Sequence, residues 1–383
     1  MRIGIDARTL LGPRTGIGRY SYNLVSNLLA MDSHNRYVLF VDRKSSLSFP
    51  SPSYDKRIVG PLIFGRASMR KVFSPLWTNF FLPRALKREG IDLLFCPNFV
   101  SPLKKVCETI IVIHDLAAIL VPGMHDKIYS FYMRNMLSVT CRKIDRIITV
   151  SEASKRDVIR LFKVPENRIR VIYSAVEDIF RPRDDPEMIK RILRKYGLVE
   201  NFILYVGTLE RRKNVTGLIK AYGKLRKDKQ ISHQLALVGK KGWRYPDIIE
   251  AIKNFGFERD VVLTGYVPDE DLVYIYNAAD LFVYPSLYEG FGFPPLEAMA
   301  CGTPVITSNV TALPEVVGDA AILVDPEDID GLVETMHEVL SQNSLRLKLI
   351  EKGLERVKNF SWENVAKKTL SVYHRVCSET TIR

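Results

Sequence analysis

The stretch from Ala278 to Ser308, AADLFVYPSLYEGFGFPPLEAMACGTPVITS, limits the possible folds more than any other part of the chain. An apolar run, Leu281 to Pro285, reads as a buried strand, and a second, Pro304 to Thr307, reads as another. Between them, Pro294 and Pro295 suit the first turn of a helix, where a missing N–H costs nothing. Gly302 suits the left-handed cap at its end. Strand, helix and strand at this spacing fit an open parallel α/β sheet, whose ligands bind at the carboxyl edge of the strands. Glu289-Gly290-Phe291-Gly292-Phe293 occupies that edge, and Glu297 follows one turn into the helix. The glycines let backbone amides approach a ligand, and the helix start favours a negative group such as a phosphate. Two carboxylates beside such a site would grip hydroxyl groups, as on a ribose and a sugar. Plainer roles stay open for each: Glu297 could complete a capping box, and Glu289 could be a solvated loop carboxylate.

A chain of 383 residues suggests two or three domains with separate cores. No run of 18 apolar residues occurs, so no membrane-spanning helix is expected. The opening MRIGIDARTL reads as a buried strand and not a signal peptide, which points to the cytoplasm. Five cysteines, Cys96, Cys107, Cys141, Cys301 and Cys377, form no CxxC pair, as expected of reduced thiols.

Charge is distributed unevenly. Residues 1–180 hold 28 Lys and Arg against 15 Asp and Glu, whereas residues 181–383 hold 28 of each, so the whole surplus of +13 lies in the first half. Two basic stretches there alternate with aromatics, Arg66 to Arg88 and Lys127 to Arg146. Segments of this kind dock on anionic membranes or form a solvated basic face over an ordinary core. No recognition helix or RNA-binding motif accompanies them, so nucleic acid is not expected as a partner.

The first half reads as strand–helix units: strands at Arg2 to Asp6, Tyr37 to Val41, Leu93 to Cys96, Thr109 to His114, Arg146 to Val150 and Arg168 to Tyr173. The loop Gly12 to Gly18 precedes a helix from about Arg19 to Met31. Its Gly16-Ile17-Gly18 lacks the third glycine of GxGxxG, which argues against a nicotinamide site. His114-Asp115 ends a strand at a carboxyl edge. There an imidazole can hydrogen-bond a hydroxyl or a leaving phosphate, or be a histidine that Asp115 holds for packing. The polar SAVEDIFRPRDDPE reads as a linker. Beyond it, Asn201 to Val206 leads into Gly207-Thr208-Leu209-Glu210-Arg211-Arg212-Lys213-Asn214, where adjacent cations after a strand and a glycine suit a diphosphate clamp. Further strands are expected at Gln234 to Val238 and Val261 to Thr264, and helices at Asp269 to Asn277, 328–342, 344–359 and Trp362 to Cys377. Asp269-Glu270-Asp271 and Asp328-Ile329-Asp330 match an Asp-x-Asp metal pattern, but at helix starts acids favour the dipole, so they read as structural.

Taken together, GIGRY, VIHDL, VSEASK, YVGTLERRKN, LVGKKGW, GYVPDEDL and YEGFGFPPLEAMACGTPVITS resemble a retaining glycosyltransferase of family 4, over nearly the whole chain. The resemblance implies an α/β GT-B fold: two Rossmann-like, doubly wound parallel-sheet domains facing across a cleft. Residues 1–178 would bind the acceptor, 179–360 the nucleotide-sugar, and a helix in 361–383 would return to the first domain. It implies that Glu297 holds the ribose and that Glu289 contacts the transferred sugar beside the Phe291 and Gly292 amides. Arg212 and Lys213 would neutralise the leaving diphosphate after Gly207. His114 would sit over the sugar ring, and Gly16 and Gly18 would line the phosphate end. Many members carry arginine straight after the glycine of the diphosphate strand, where this chain has Thr208, so Arg212 is the expected replacement cation.

The implied reaction is front-face glycosyl transfer with retention and without a metal or other cofactor, the leaving diphosphate receiving the acceptor proton. No carboxylate is an obvious nucleophile for double displacement. The GTLERRKN form of the diphosphate strand looks most like mannosyltransferases using GDP-mannose, with UDP-sugars open. The expected acceptor is a glycan or lipid-linked chain in cell-surface polysaccharide synthesis, with the enzyme peripheral on the inner face of the membrane. A sugar-nucleotide 2-epimerase of the same fold, or a non-catalytic nucleotide-sugar or membrane-binding module, remains an alternative.

Overall fold

The computed structural model describes residues 1–12, 16–51, 53–60, 73–121, 123 and 127–381. The chain forms two compact units, one of residues 1–119, 125–174 and 361–383, the other of 120–124 and 175–360.

In the first unit, β1 (Arg2–Asp6), β2 (Arg36–Val41), β3 (Tyr54–Ile58), β4 (Leu93–Cys96), β5 (Glu108–Ile113), β6 (Arg146–Thr149) and β7 (Ile169–Val171) make one sheet in the order β3-β2-β1-β4-β5-β6-β7. Every pairing is parallel. Such a sheet is covered on both faces, which is why its strands read as continuous apolar runs without alternation. The edge strand β3, YDKRI, is half-exposed and polar, and nothing in its pattern marks it as a strand. The helix Ile17–Met31 starts two residues earlier than its periodicity suggests, because Gly16, at φ 50°, takes the N-cap position. Ser151 caps the helix Glu152–Phe162 by accepting from the Ser154 N–H. The last helix, Trp362–Thr381, belongs to this unit. It packs on Ile17–Met31 and buries Val365, Thr369, Val372 and Val376 in one helical stripe. Its Trp362 ring lies edge-on to Tyr20 at 5.8 Å, and its Tyr373 ring meets Phe95 at 5.5 Å.

The second unit repeats the plan with β8 (Phe202–Val206), β9 (Gln234–Val238), β10 (Val261–Gly265), β11 (Leu281–Tyr284), β12 (Val305–Ser308) and β13 (Ile322–Val324), in the order β10-β9-β8-β11-β12-β13 and all parallel. The segment read as a linker is tied to this unit. Asn277 accepts the Arg183 N–H and donates to the Arg181 carbonyl, and the Phe180 ring packs against Tyr276. In both sheets the strand order reverses once, between β1 and β4 and between β8 and β11. The crevice outside the carboxyl ends at such a reversal is where doubly wound sheets bind ligands.

Candidate functional site

At the β8/β11 reversal two loops leave neighbouring strands. The turn after β8 is fixed by backbone bonds: Gly207 N–H to the Val238 carbonyl at 2.9 Å, and Leu209 N–H to Lys240 at 2.9 Å. Tyr205 donates its hydroxyl to the Thr208 carbonyl at 3.2 Å. A short 3-10 turn, Arg211–Lys213, follows, and Asn214 closes it in the left-handed region at φ 54°. The Leu287 N–H donates to the Arg212 carbonyl at 2.9 Å, which locks this turn to the loop after β11.

The geometry joins three of the candidate residues into one buried group. Lys213 Nζ donates to Glu289 Oε1 at 2.5 Å and to the Tyr284 hydroxyl at 2.6 Å. Tyr284 in turn donates to Glu289 Oε1 at 2.9 Å, and Ser286 donates to the same oxygen at 2.6 Å. Arg212 Nη1 reaches Glu289 Oε2 at 3.1 Å and the Tyr288 carbonyl at 2.8 Å, while Arg212 Nη2 pairs with Glu210 at 3.0 Å. Burial alone would raise the Glu289 carboxyl. The charges of Lys213 and Arg212, with the donated hydrogen bonds, outweigh it and bring the group down to about 2. Burial pulls the Lys213 ammonium down, against the attraction of Glu289. Glu289 is therefore no solvated loop carboxylate: it is 7% exposed. Arg211, the cation set aside in favour of Arg212, is exposed.

Glu297 is buried on the helix Phe293–Ala300, where it accepts the Tyr276 hydroxyl at 3.0 Å. Gly292 takes the N-cap position at φ 118°, and a Cβ there would lie 2.8 Å from Leu313 Cδ2. The loop needs glycine for both reasons. The Phe291 ring is buried against Phe293 at 5.2 Å and Phe360 at 6.0 Å, so its side chain is an anchor and only its backbone is left for a ligand.

In the first unit, His114 follows β5 and its Nε2 lies 2.8 Å from the Pro97 carbonyl, after β4. A carbonyl only accepts, so Nε2 carries the proton and Nδ1 of the neutral ring is an acceptor. Burial pulls the imidazole below its usual value, against the Pro97 carbonyl and the Asp115 charge. Asp115 does not bond the ring; its carboxylate caps the next turn by accepting the Ala117 N–H at 3.0 Å. Gly16 and Gly18 stand at the start of the helix after β1, and the loop residues 13–15 lie outside the described residues.

Both Asp-x-Asp runs serve helix starts. Asp328 accepts the Gly331 N–H at 2.8 Å, and Asp269 and Asp271 lie in the first turn of the helix Asp269–Ala278, where Asp271 also pairs with Lys195 at 2.5 Å. Among the described residues no three His, Cys, Asp or Glu side chains are grouped as metal ligands. Sequence reasoning missed Tyr284, Ser286 and Tyr276. Tyr284 and Ser286 looked like the tail of a strand, and only the fold reveals that their hydroxyls meet Lys213 and Glu289.

Two parallel Rossmann-like sheets with a cationic, carboxylate-backed turn at the reversal of the second are the parts that the resemblance to GT-B glycosyltransferases led one to expect. Residues 14–178 match the model of Glycosyltransferase Family 4, and residues 189–356 match that of Glycosyl transferases group 1. The chain is 35% identical to O-antigen chain mannosyltransferase B of Escherichia coli, over 97% of this chain and 99% of that protein. It is 33% identical to the serotype-specific mannosyltransferase WbdA of Escherichia coli, over 72% of this chain but only 34% of that longer protein. A sucrose-phosphate synthase from Thermosynechococcus elongatus shares the fold, with a TM-score of 0.80 at 21% identity, covering 99% of this chain and 100% of that one. The chain belongs to glycosyltransferase family 4.

Proposed function

We propose that this glycosyltransferase moves mannose from GDP-mannose, with retention and without a metal, to a glycan or lipid-linked acceptor in cell-surface polysaccharide synthesis. The observation that carries the reading is the Arg212–Lys213–Glu289 group at the β8/β11 reversal. Two fixed cations there offset the charge that develops on a leaving diphosphate, the electrostatic work that a divalent ion would otherwise do. The mannosyl donor follows from the relatives, two of which are named mannosyltransferases.

Retention by front-face attack is supported by the state of Glu289. Its Oε1 accepts from Lys213, Tyr284 and Ser286, and its Oε2 from Arg212. A carboxylate so engaged, with its pKa near 2, is a weak nucleophile for a glycosyl-enzyme intermediate. Its free energy goes instead into holding the two cations. Glu297 and Tyr276 would take the ribose hydroxyls, with Gly207 beside the phosphates and the Phe291 and Gly292 amides, next to Glu289, beside the transferred sugar. Through Nδ1, His114 would accept a hydrogen bond from a hydroxyl, with Gly16 and Gly18 at the phosphate end.

The test is transfer from GDP-mannose compared with a panel of UDP-sugars, in EDTA, with the product anomer read by NMR. α-Linked product from GDP-mannose in EDTA is expected; dependence on added metal, or product of inverted configuration, would refute the reading. Lys213→Met should lower kcat/KM by about 100-fold or more, as removal of a transition-state donor does.

A peripheral position on the inner face of a membrane is part of the proposal. The helix Lys127–Lys143 carries Lys127, Arg134, Arg142 and Lys143 and no carboxylate. On its outer side Ile128, Phe131 and Tyr132 are exposed, at 82%, 70% and 54%. On the other basic stretch, of which residues 66–72 lie outside the described residues, Arg84 lies over the exposed Phe80 ring. Uniform positive charge disfavours pairing with a second copy and favours anionic lipid. No helix among the described residues is long and apolar enough to cross a membrane. Co-sedimentation with phosphatidylglycerol vesicles should be salt-sensitive and lost in Ile128→Asp/Phe131→Asp; equal binding by this variant would exclude the helix as the docking face.

A further inference from the structure

Tyr284 stands at the end of β11, fully buried, and the reading above uses its hydroxyl only as one of the donors that hold Glu289. Its ring belongs to a row of stacked aromatics, with Tyr205 of β8 at 5.7 Å and Phe282 at 5.9 Å, both within 20° of parallel. Its main-chain carbonyl is held by the Thr307 hydroxyl at 2.8 Å. Ring and backbone are therefore fixed, and so is the place of the hydroxyl. That hydroxyl has one proton to give. It goes to Glu289 Oε1, so the oxygen can only accept from Lys213 Nζ, at 2.9 and 2.6 Å respectively.

An ammonium has three N–H directions in tetrahedral array. Two are fixed here, one by Tyr284 and one by Glu289. The third direction is then set by geometry and not by a search among rotamers. With Glu289 alone, the flexible lysine stem would let the ammonium swing about a single hydrogen bond and collapse onto the carboxylate.

We propose that Tyr284 is a positioning residue for glycosyl transfer: its hydroxyl aims the third N–H of Lys213 at the leaving diphosphate. The inference rests on the role assigned above to Lys213. Aiming a charge before the reaction removes reorganisation from the chemical step, so the benefit falls on the transition state more than on donor binding. Tyr205 acts alongside on the same turn, since its hydroxyl fixes the Thr208 carbonyl.

The experiment is a double-mutant cycle on steady-state transfer with Tyr284→Phe, Lys213→Met and both together. Tyr284→Phe keeps the ring stack and should leave the melting temperature within a few degrees. Its kcat should fall about 10- to 100-fold with donor KM changed less than threefold. In the Lys213→Met background the same change should do little, because the group it positions is gone. Ser286→Ala supplies a second measurement: Ser286 bonds the same carboxylate oxygen but not Lys213, so its kcat should fall less than that of Tyr284→Phe. Equal factors for Tyr284→Phe in both backgrounds, or an unchanged kcat, would overturn the proposal. Absence of transfer by the wild-type enzyme from every nucleotide sugar would instead overturn the functional reading beneath it.

Discussion

Glu289 is a buried carboxylate whose ordinary fate would be to take up a proton, and it does not because two cations and two hydroxyls face it. Its carboxyl is lowered from 4.5 to about 2 on folding, so the folded state binds the proton less tightly than the unfolded chain. The resulting stability is present in full above pH 4.5 and drains away as the pH falls toward 2. By that linkage it amounts to roughly 3 kcal/mol, at 1.36 kcal/mol for each pKa unit. Urea melts of wild type and Glu289→Gln between pH 6 and pH 3 should show a steeper loss for the wild type. At pH 7 the variant should be about 3–5 kcal/mol less stable, since it leaves the Lys213 ammonium buried without its counter-charge. Parallel pH curves would show that the carboxylate is not held as described.

At the scale of the element, the loop and helix from Glu289 to Ala300 depend on backbone conformations that only a few residues tolerate. Gly292→Ala combines a positive φ with a close approach to Leu313, and should cost about 1–3 kcal/mol. A lower melting temperature with loss of donor binding is expected; unchanged melting would contradict the observed loop. Tyr276→Phe removes the hydroxyl that Glu297 accepts and should raise donor KM several-fold with kcat little changed, the pattern of lost ground-state binding. A kcat effect without a KM effect would place Glu297 elsewhere in the cycle. These elements were legible in the sequence because apolar runs, prolines and glycines are local signals. Leu281–Tyr284 and Phe293–Ala300 fall close to where the pattern puts them. The bonds of Lys213 to Tyr284 and to Glu289 were not legible, since they join residues more than 70 positions apart through the pairing of β8 with β11. Likewise β3 and β13 escaped notice, one as a polar edge strand and the other as a three-residue strand.

At the scale of the whole molecule, one topology is used twice with different surfaces: the excess positive charge lies in residues 1–180, and the turn that carries Arg212 and Lys213 follows β8. The last helix completes the first unit although it follows the second in sequence. Trp362, Val365, Val372, Tyr373 and Val376 are all buried there, and at about 2 kcal/mol each their loss would match the stability of an ordinary domain. A chain ending at Phe360 should therefore lose protease resistance in residues 1–174 in limited-proteolysis mapping; a resistant first unit would refute this. The central claim is that the turn after β8 receives a nucleotide diphosphate, and a crystal of the GDP complex tests it most directly. The predicted result is a diphosphate oxygen about 3 Å from Lys213 Nζ, with the ribose at Glu297. A bound nucleotide away from both residues, with the Lys213–Glu289 pair unchanged and no anion beside it, would contradict it.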